Sequence, residues 1–403
     1  MQAVILAAGN STRLYPLTLT KPKPLLKVAG KTILEHNLTQ LEDLAGEVII
    51  VIGYKEEIIK KYAGDSFGKM KISYIEEKER LGTAHALGMA EGKVKGNFIV
   101  LNGDDLYSKK DIENCLKHKN CVLAKKIEDP SRFGVLLLEG GKVKKIVEKP
   151  KEFVSDLANT GLYVLSEEIF AAIKNVKKSS RNEYELTDAV SELAGKREVN
   201  YEEVKDFWHA VSYPWNLLEA NEYLLGKAKG KIAKSAMVEK GATFKGEITI
   251  GEGTIIKNGV YIEGPAIIGA RCVIGPNCFI RASAAIGDNC HIGNAVEIKN
   301  SIIGDNTNVA HLSYVGDSII GDNCNLGAGT ITANLRHDWK NIKCMVKGEL
   351  KDTGRQKLGV IMGDNCKTGI HTSLYPGVKI GAGCMTLPGE IVKKDLTDNN
   401  FKK

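Results

Sequence analysis

The chain has 403 residues, 43% of them hydrophobic, which is long enough for two domains with separate cores. Its formal net charge of +7 is modest, and no basic block interleaved with stacking aromatic residues appears, which argues against a nucleic-acid partner. No apolar run approaches the roughly eighteen residues of a membrane span, and the N-terminus, MQAVILAAG, carries no charged leader. We therefore expect a cytoplasmic protein without a membrane segment.

Residues 1–225 alternate short apolar runs with helical patterns, which predicts βαβ units and a mostly parallel sheet. Ligands of such sheets bind beyond the carboxyl ends of the strands. The residues that directly follow each strand are therefore candidates for a site. The predicted strands are Ala3–Leu6, Val48–Ile52, Ile72–Ile75 and Phe98–Leu101, and the predicted helices are Thr32–Leu44, Lys55–Tyr62 and Thr83–Glu91.

The loop after the first strand has the composition of a phosphate cradle. Gly9 permits close backbone approach, Ser11 and Thr12 add hydrogen-bond donors, and Arg13 and Lys23 bring two cations to one strand end. This chemistry suits a triphosphate. A tight turn with solvated cations is the alternative.

An acidic pair follows the fourth predicted strand, in the sequence Asn-Gly-Asp104-Asp105. Magnesium favours one or two carboxylates together with phosphate oxygens. Carboxylates that face a phosphate loop are therefore natural Mg²⁺ ligands. An ordinary acidic turn is the alternative.

An isoleucine recurs at every sixth residue from Ile250 to Ile298. A strict period of six is neither helical nor strand-like, and it predicts a parallel β-helix with one hexapeptide on each face of a prism. The residue two places before each isoleucine is almost always small, so both positions should point inward. The small inward positions take up six of the nine cysteines, which we expect to be reduced filler thiols: Cys272, Cys278, Cys290, Cys324, Cys366 and Cys384.

The register slips by one residue after Ile298 and again after Val315, and His311 lies between the two slips. By phase this histidine should point out of the prism. A segment from Leu335 to Gly359 then interrupts the repeat before it returns at Met362. That segment is basic, and it is either a solvated loop or a surface for a phosphorylated substrate: it carries Arg336, Lys340, Lys343, Lys351, Arg355 and Lys357.

Seven motifs in the N-terminal half resemble, in order, those of the sugar-1-phosphate nucleotidylyltransferases. They cover essentially all of residues 1–225 and read LAAGNSTRLYPLTLTKPKPLL, LGTAHAL, LNGDD, RFGV, IVEKP, NTGLYV and ELTDA. The resemblance implies a Rossmann-like α/β domain in which an oxygen of a sugar-1-phosphate attacks the α-phosphorus of UTP or dTTP and expels pyrophosphate. The sugar would be N-acetylglucosamine or glucose.

The same resemblance implies roles for the residues that match. Arg13 would hold the β- and γ-phosphates, Lys23 the α-phosphate, and Asp104 the magnesium ion. The remaining nucleotide contacts would come from Ala8, Gly9, Glu77, Gly82 and Thr83, and the sugar phosphate would be held by Gly134, Glu148, Lys149, Asn159 and Thr160.

Three positions of the N-terminal half depart from the family pattern. Ser11 replaces a glycine of the loop. Glu77 stands where the family usually has a glutamine that donates to and accepts from a pyrimidine, whereas an ionised carboxylate only accepts. Ala210 occupies the usual place of a second magnesium ligand, and alanine cannot ligate.

The C-terminal half resembles the left-handed β-helix of the glucosamine-1-phosphate acetyltransferases. Six residues keep that family's mutual spacing, and the resemblance implies that His311 is the general base, since a histidine pKa of about 6.5 suits removal of an amine proton. Arg281 and Lys299 would bind the sugar phosphate. The other matching residues would position the amino sugar or extend the cationic site: Tyr314, Asn334 and Lys340.

The combination is similar to bifunctional enzymes of UDP-GlcNAc synthesis, in a version common in archaea that carries DTGRQKLG. Leu335 departs from the tyrosine of bacterial relatives. The resemblance implies Mg²⁺, acetyl-CoA as cosubstrate, and a homotrimer or a dimer of trimers. We expect a nucleotidylyltransferase domain over 1–225, a linker over 226–245 and a β-helix over 246–403. A purely oligomerising β-helix, or a non-catalytic interaction subunit, is the alternative.

Overall fold

The strand Gln2–Ala7 lies inside a large mixed sheet, as its uninterrupted apolar sequence predicts. It pairs in parallel with Glu47–Ile52 on one side and Asn97–Asn102 on the other. Its side chains Ala3, Val4 and Ile5 are fully buried, because the sheet is covered on both faces. The structure is a computed structural model and describes residues 1–397.

The predicted βαβ pattern of the N-terminal half is confirmed. The parallel strands continue from Glu47–Ile52 to Met70–Glu76, whereas Leu157–Ser166 joins the other side in antiparallel orientation. The sheet is therefore mixed, with its parallel part around the first strand. Its other strands are Ser66–Phe67, Cys121–Lys126, Gly134–Glu139, Lys142–Glu148 and Asn200–Glu203, and a small ladder pairs Leu106–Tyr107 with Trp208–His209.

The predicted helices form with small differences at their ends. The helix that begins at Thr83 ends at Gly88 instead of Glu91, because the following residues make tighter turns, with Glu91 N–H donating to Gly88 O. Within residues 1–397 no helix is both long and apolar enough to cross a membrane. The helices are Ile33–Leu41, Glu56–Ala63, Thr83–Gly88, Lys109–Cys115, Glu168–Ile173, Leu186–Ala194 and Pro214–Lys227.

The C-terminal half is the predicted β-helix, built from three parallel sheets within residues 237–392. We name these sheets the first, second and third face in chain order. The first face contains Met237–Val238, Ile255–Ile256, Val273–Ile274, His291–Asn294, Asn308–His311 and Asn325–Leu326. The second contains Thr243–Lys245, Tyr261–Glu263, Phe279–Ile280, Glu297–Lys299, Tyr314–Gly316, Ile331–Thr332, Ser373–Leu374 and Ile391–Val392, and the third Ile248–Ile250, Ala266–Ile268, Ala285–Ile286, Ile302–Ile303, Ile319–Ile320, Ile361–Met362 and Lys379–Ile380.

The interior of the prism follows the period of six. All nine isoleucines from Ile250 to Ile298 are at most 1% exposed. The six cysteines of the small inward positions are buried and unpaired by disulfides, so the prediction of filler thiols is confirmed. Burial of a column of large apolar side chains supplies the main stabilisation of such a prism.

The slips in the register shorten the coil from eighteen residues to seventeen. Ile256 pairs with Ile274 before the first slip, and Ile292 pairs with Val309 across it. The inward column remains continuous, since Val309 is fully buried. His311 is exposed, as its phase predicts.

The basic segment from Leu335 to Gly359 is a packed hairpin, not a solvated loop. Its strands Lys343–Val346 and Glu349–Asp352 are antiparallel, and the thiol of Cys344 donates to Gly377 O over 3.1 Å. The apolar side of the hairpin covers the following coil. Its buried members are Ile342, Cys344, Val346 and Leu358.

Contacts divide the chain into two units that do not follow chain order. One unit contains residues 1–10 and 33–210, and the other contains residues 11–32 and those from 211 onward. The segment 11–32 and the helix Pro214–Lys227 thus group with the β-helix, although the sequence assigns both to the N-terminal domain up to residue 225. The boundary at 225, the linker over 226–245 and the β-helix over 246–403 remain predictions.

The register can be tested with two neighbouring isoleucines of the first face. Ile256 is fully buried, whereas Ile255 is half-buried on the outer side. We expect Ile256→Ala to lower the free energy of unfolding by about 2–5 kcal/mol, since it leaves a cavity. Ile255→Ala should cost less than half as much. Denaturant unfolding followed by circular dichroism measures both, and equal losses would contradict the register.

Candidate active sites

Loops at the carboxyl ends of the parallel strands approach one another closely. A Cβ added to Gly53 would lie 3.0 Å from Ala8 Cβ and 3.0 Å from Glu77 O. By contrast, a Cβ on Gly9 would meet no atom within 4 Å. The backbone after the first strand is therefore open on one side, as close approach by a phosphate requires.

Glu77 is buried and paired with a histidine. Its side chain is 4% exposed, and Oε1 lies 2.8 Å from His85 Nδ1. Sequence reasoning identified Glu77 but missed His85, although the LGTAHAL motif contains it. One carboxylate oxygen is thus held by the imidazole, which fixes the direction of the other.

Gly82 and Thr83 are fixed by the segment that precedes the helix Leu186–Ala194. Gly82 has φ of +119°, and a Cβ there would lie 2.5 Å from Tyr184 O, so only glycine fits. Thr83 Oγ1 accepts from Leu186 N–H over 2.9 Å. This turn is therefore rigid and stands at the start of a helix.

Asp104 and Asp105 follow the strand Asn97–Asn102, as predicted, with Asp105 buried. Trp208–His209 pairs antiparallel with Leu106–Tyr107, and continuing that register places Ala210 opposite Asp105. The methyl side chain of Ala210 has no atom that could coordinate a metal ion. No group of three or more His, Cys, Asp or Glu side chains within residues 1–397 is arranged to hold a metal. One or two carboxylates completed by substrate phosphates would suit magnesium.

Gly134 and Glu148 face each other across two antiparallel strands. A Cβ on Gly134 would lie 2.9 Å from Glu148 Oε2, so the glycine makes room for the carboxylate. Glu148 Oε1 lies 3.2 Å from Lys149 Nζ and 3.4 Å from an Arg181 guanidinium nitrogen. Arg181 was not predicted, because it belongs to none of the motifs.

Asn159 and Thr160 lie on the long strand Leu157–Ser166, but their side chains differ in exposure to solvent. Asn159 is half-buried, and its amide donates to the Tyr163 hydroxyl over 2.6 Å. Thr160 is 1% exposed, with its hydroxyl donating to Leu123 O. The Thr160 side chain therefore holds the sheet together, and only its neighbour presents a polar group.

Arg13 and Lys23 belong to the unit of the β-helix. Arg13 lies in the short 3₁₀ turn Thr12–Leu14, exposed, with its guanidinium 5.9 Å from the Tyr213 ring centroid. Lys23 begins the 3₁₀ turn Lys23–Leu25 and is 4% exposed. The turn that carries Arg13 starts at Ser11, whose φ of +49° is left-handed. A lysine so deeply buried is held in one orientation.

The second face of the prism brings most of the predicted acetyl-transfer residues together. Ile280 pairs with Ile298, so Arg281 and Lys299 follow on consecutive coils, and Lys299 pairs with Gly316. Arg281 forms an ion pair with Glu297 at 2.9 Å. The two cations are thus stacked at one edge of the face, where a phosphate could be shared between them.

A buried aspartate that sequence reasoning missed joins this cluster. Asp317 is 2% exposed and accepts from Lys299 Nζ at 2.7 Å, from Asn334 Nδ2 at 2.5 Å and from Asn300 Nδ2 at 2.9 Å. It lies three residues after Tyr314, at a corner with φ of +49°. The sequence shows an aspartate at this position, but it does not show that the side chain is buried beneath the cluster.

Tyr314 and Asn334 complete the cluster. The Asn334 amide donates to the Tyr314 hydroxyl over 3.0 Å, and a Cβ on Gly316 would lie 2.8 Å from the same amide nitrogen. Burial, with the charges of Asp317 and Glu297, raises the pKa of Tyr314 despite the hydrogen bond from Asn334. The hydroxyl therefore stays protonated at neutral pH and can donate to a ligand.

His311 ends a strand of the first face, one corner before Tyr314. Its carbonyl accepts from Ser313 Oγ at 2.7 Å, which fixes the turn between the two faces. The ring is exposed. Burial and the nearby positive charge of Lys257 lower the pKa of His291 on the preceding coil. His291 is therefore neutral near pH 7.

Lys340 lies in the basic segment from Leu335 to Gly359, six residues beyond Asn334, and it is exposed. Its position was predicted to extend the cationic site. Asp338 of the same turn forms an ion pair with Arg336 at 2.7 Å. Hydrogen bonds through Asp317 and Asn334 thus link Lys299, Asn334 and Tyr314, while Arg281 pairs separately with Glu297 on the same face, and Lys340 takes part in none of these contacts.

Comparisons with known proteins agree with this division. Residues 2–227 match the family described as Nucleotidyl transferase, and residues 262–349 match the GMPPB C-terminal domain. A bifunctional protein GlmU of Methanocaldococcus jannaschii is 42% identical over 402 residues, which cover 100% of this chain and 97% of that protein. The chain belongs to the bifunctional GlmU family.

Two further similar proteins cover the whole chain and about half of it, respectively. A bifunctional sugar-1-phosphate nucleotidylyltransferase/acetyltransferase of Sulfurisphaera tokodaii is 36% identical and aligned over the full length of both proteins. The solved structure of a putative glucose-1-phosphate thymidylyltransferase from Bacillus anthracis matches with a TM-score of 0.52 and 30% identity. It covers 57% of this chain and 98% of its own. The GlmU family thus accounts for both halves.

Asp317 provides a test of the acetyl-transfer cluster. We expect Asp317→Asn to lower kcat/KM for acetyl transfer to glucosamine-1-phosphate by about tenfold or more, because Lys299 and Asn334 lose the charge that aligns them. The thermal midpoint should also fall, because the new amide group turns a donor towards Lys299 or Asn334, so the kinetics are compared well below that midpoint. Glu139→Gln, which breaks an exposed ion pair with Lys144 in the N-terminal sheet, is the control. Unchanged kinetics in Asp317→Asn would contradict the assignment.

Proposed function

We propose that the chain is a bifunctional enzyme of UDP-GlcNAc synthesis. It would acetylate glucosamine-1-phosphate with acetyl-CoA and transfer a nucleotidyl group from UTP or dTTP to GlcNAc-1-phosphate or glucose-1-phosphate. The observation that carries this proposal is the cluster of Arg281, Lys299, Tyr314 and Asn334 beside an exposed His311. A β-helix that served only for assembly would have no use for such paired cations.

For acetyl transfer, the substrate phosphate would lie against Arg281 and Lys299. The amine nitrogen then attacks the thioester carbonyl of acetyl-CoA, and a new C–N bond replaces the C–S bond. His311 accepts the amine proton, and the sulfur leaves as CoA thiolate and is protonated to the thiol. Tyr314 keeps its proton and donates a hydrogen bond to the sugar.

For nucleotidyl transfer, Gly9 leaves room for the triphosphate, and Arg13 and Lys23 supply the cations. The phosphate oxygen of the sugar-1-phosphate attacks the α-phosphorus, and pyrophosphate leaves from the opposite side. Lys23 would face the α-phosphate, where charge shifts during transfer. Glu148, Lys149 and Asn159 would hold the sugar phosphate, while Gly134 leaves space and Thr160 supports the strand.

Asp104, with Asp105 beside it, would hold Mg²⁺. The ion would supply charge neutralisation on the phosphate oxygens. Ala210 at the opposite strand adds no ligand, so the protein's share of the coordination is small. Either His209 or water would take the place of the missing ligand, or metal binding would be weaker and nucleotidyl transfer slower.

The protein would act in the cytoplasm as a homotrimer or a dimer of trimers. The exposed position of His311 on a wall of the prism supports this arrangement, because an outward catalytic group gains a facing surface from a neighbouring copy. The diffusion of GlcNAc-1-phosphate between the two sites is the simplest connection.

Two substitutions should separate the activities. His311→Ala should lower the release of CoA thiol by roughly 10²–10⁴-fold and spare pyrophosphate release, because it removes only the general base. Lys23→Ala should lower pyrophosphate release and spare the release of CoA thiol. Pyrophosphate and thiol assays measure both, with His337→Ala as an exposed-histidine control. Loss of both activities in His311→Ala would contradict two separate sites, and no thiol release by the wild type would favour an oligomerising β-helix.

The nucleotide preference should depend on Glu77. An ionised carboxylate offers no donor to the carbonyl oxygens of uracil or thymine, whereas glutamine does. We expect Glu77→Gln to raise kcat/KM for UTP and dTTP relative to the other nucleoside triphosphates by about tenfold. Pyrophosphate release with four nucleotides measures the ratio. An unchanged ratio would show that Glu77 does not face the base.

A further inference from the structure

A column of aspartates runs along one corner of the β-helix, where the sequence repeats Gly-Asp-Asn after the third face. Asp288, Asp305, Asp322 and Asp364 form this aspartate column. The Oδ1 atoms of Asp305, Asp322 and Asp364 each accept a hydrogen bond from the backbone N–H of the preceding column member, over 2.8–2.9 Å. Asp288 accepts in the same way from Ala270 N–H. All four carboxylates are therefore held in one orientation by the backbone.

Three members of the column bind cations or donors of the segment 11–32. Lys27 Nζ lies 2.8 and 2.7 Å from the two oxygens of Asp305. Lys21 pairs with Asp322, and its Nζ is 3.1 Å from Asp364 Oδ2. The Thr20 hydroxyl donates to Asp364 over 2.5 Å. Asp288 forms no ion pair with any side chain of residues 1–397.

These pairs are better shielded than ordinary surface ion pairs. The side chains of Lys21 and Asp364 are 18% and 8% exposed. Burial alone would lower the pKa of Lys21, but Asp322 and Asp364 outweigh it and raise that pKa. Lys21 therefore stays charged across the physiological range. Shielded and networked pairs retain more of their attraction than isolated exposed ones.

The same segment is attached at two further points of its unit. Asn221 of the helix Pro214–Lys227 is fully buried, and it accepts from Ala29 N–H over 2.9 Å while donating to Ser283 O over 2.8 Å. Near the start of the segment, Lys379 Nζ donates to Tyr15 O over 3.4 Å. The segment is thus fastened to the β-helix along its length.

Lys23 lies between the two paired lysines, two residues after Lys21 and four before Lys27. Pairing of the flanking lysines with fixed carboxylates restricts the backbone that carries Lys23. Catalytic cations must be held within about 0.5 Å of their working position. We propose that Asp305, Asp322 and Asp364 are positioning residues for nucleotidyl transfer, so that the β-helix orients the phosphate-binding segment; this rests on the proposed roles of Lys23 and Arg13.

The column supplies its own matched control. Asparagine keeps the Oδ1 acceptor for the backbone N–H but removes the charge, and Asp288 has the same backbone bond without a lysine partner. We expect Asp322→Asn/Asp364→Asn to lower kcat/KM for the nucleoside triphosphate by about tenfold or more. Asp288→Asn should match the wild type, and CoA thiol release should stay unchanged in every variant.

A double-mutant cycle separates positioning from general stability. Lys27→Met and Asp305→Asn should each lower kcat/KM for nucleotidyl transfer, and the double variant should lose no more than either single one, because both remove the same interaction. Additive losses would overturn the proposal. So would equal losses in Asp288→Asn and Asp322→Asn/Asp364→Asn accompanied by a fall in thermal midpoint, which would make the column merely structural.

Pyrophosphate release by the wild type distinguishes failure of the proposed nucleotidyl transfer from failure of the proposed positioning role. If the wild type releases no pyrophosphate with any nucleotide, the proposed nucleotidyl transfer fails. If the wild type is active and the variants of Asp305, Asp322 and Asp364 match it, only the positioning role fails.

Discussion

The inward column of large apolar side chains is the constraint on which the second unit depends. Because one such side chain must enter the prism at each sixth residue, every other position of the hexad is assigned to a corner or an outer wall. Outward groups seventeen or eighteen residues apart then stack, as Arg281 and Lys299 do, and as Asp305 and Asp322 do at another corner. The chemistry of the walls is therefore a consequence of the packing inside.

Carboxylates of the prism orient cations in two separate places. On the second face, Asp317 holds Lys299 and Glu297 holds Arg281, so each cation is held in place by a carboxylate of the prism. At the aspartate column, carboxylates hold Lys21 and Lys27, which flank Lys23. In each case the backbone of a rigid coil fixes the anion, and the anion fixes the cation. Prealignment of this kind lowers the reorganisation needed during reaction.

Local patterns were sufficient to predict the main elements. The strand runs, the six-residue period and the outward phase of His311 follow from spacing alone, because each depends on residues close in sequence. The packed hairpin at 335–359 was harder to predict, since its apolar face is short and its cations dominate the composition. Its burial depends on a coil that follows it in the chain.

Contacts between distant segments could not be predicted. Asp317 reads as an ordinary corner residue, and only the fold shows Lys299 and Asn334 converging on it. The lysines of segment 11–32 meet aspartates about three hundred residues later. Complementary charges at such separation have no periodic signal. The pairing of Glu77 with His85 could have been anticipated more easily, because the two residues are only eight apart in sequence.

A crystal structure with glucosamine-1-phosphate bound tests the central claim most directly, because that claim places a phosphate site on the outer wall of the prism. The account predicts density for the phosphate between Arg281 and Lys299, with the amine turned towards His311 and the Tyr314 hydroxyl within hydrogen-bonding distance of the sugar. A sugar phosphate bound elsewhere, with this cluster unchanged and unoccupied at saturating ligand, would contradict it.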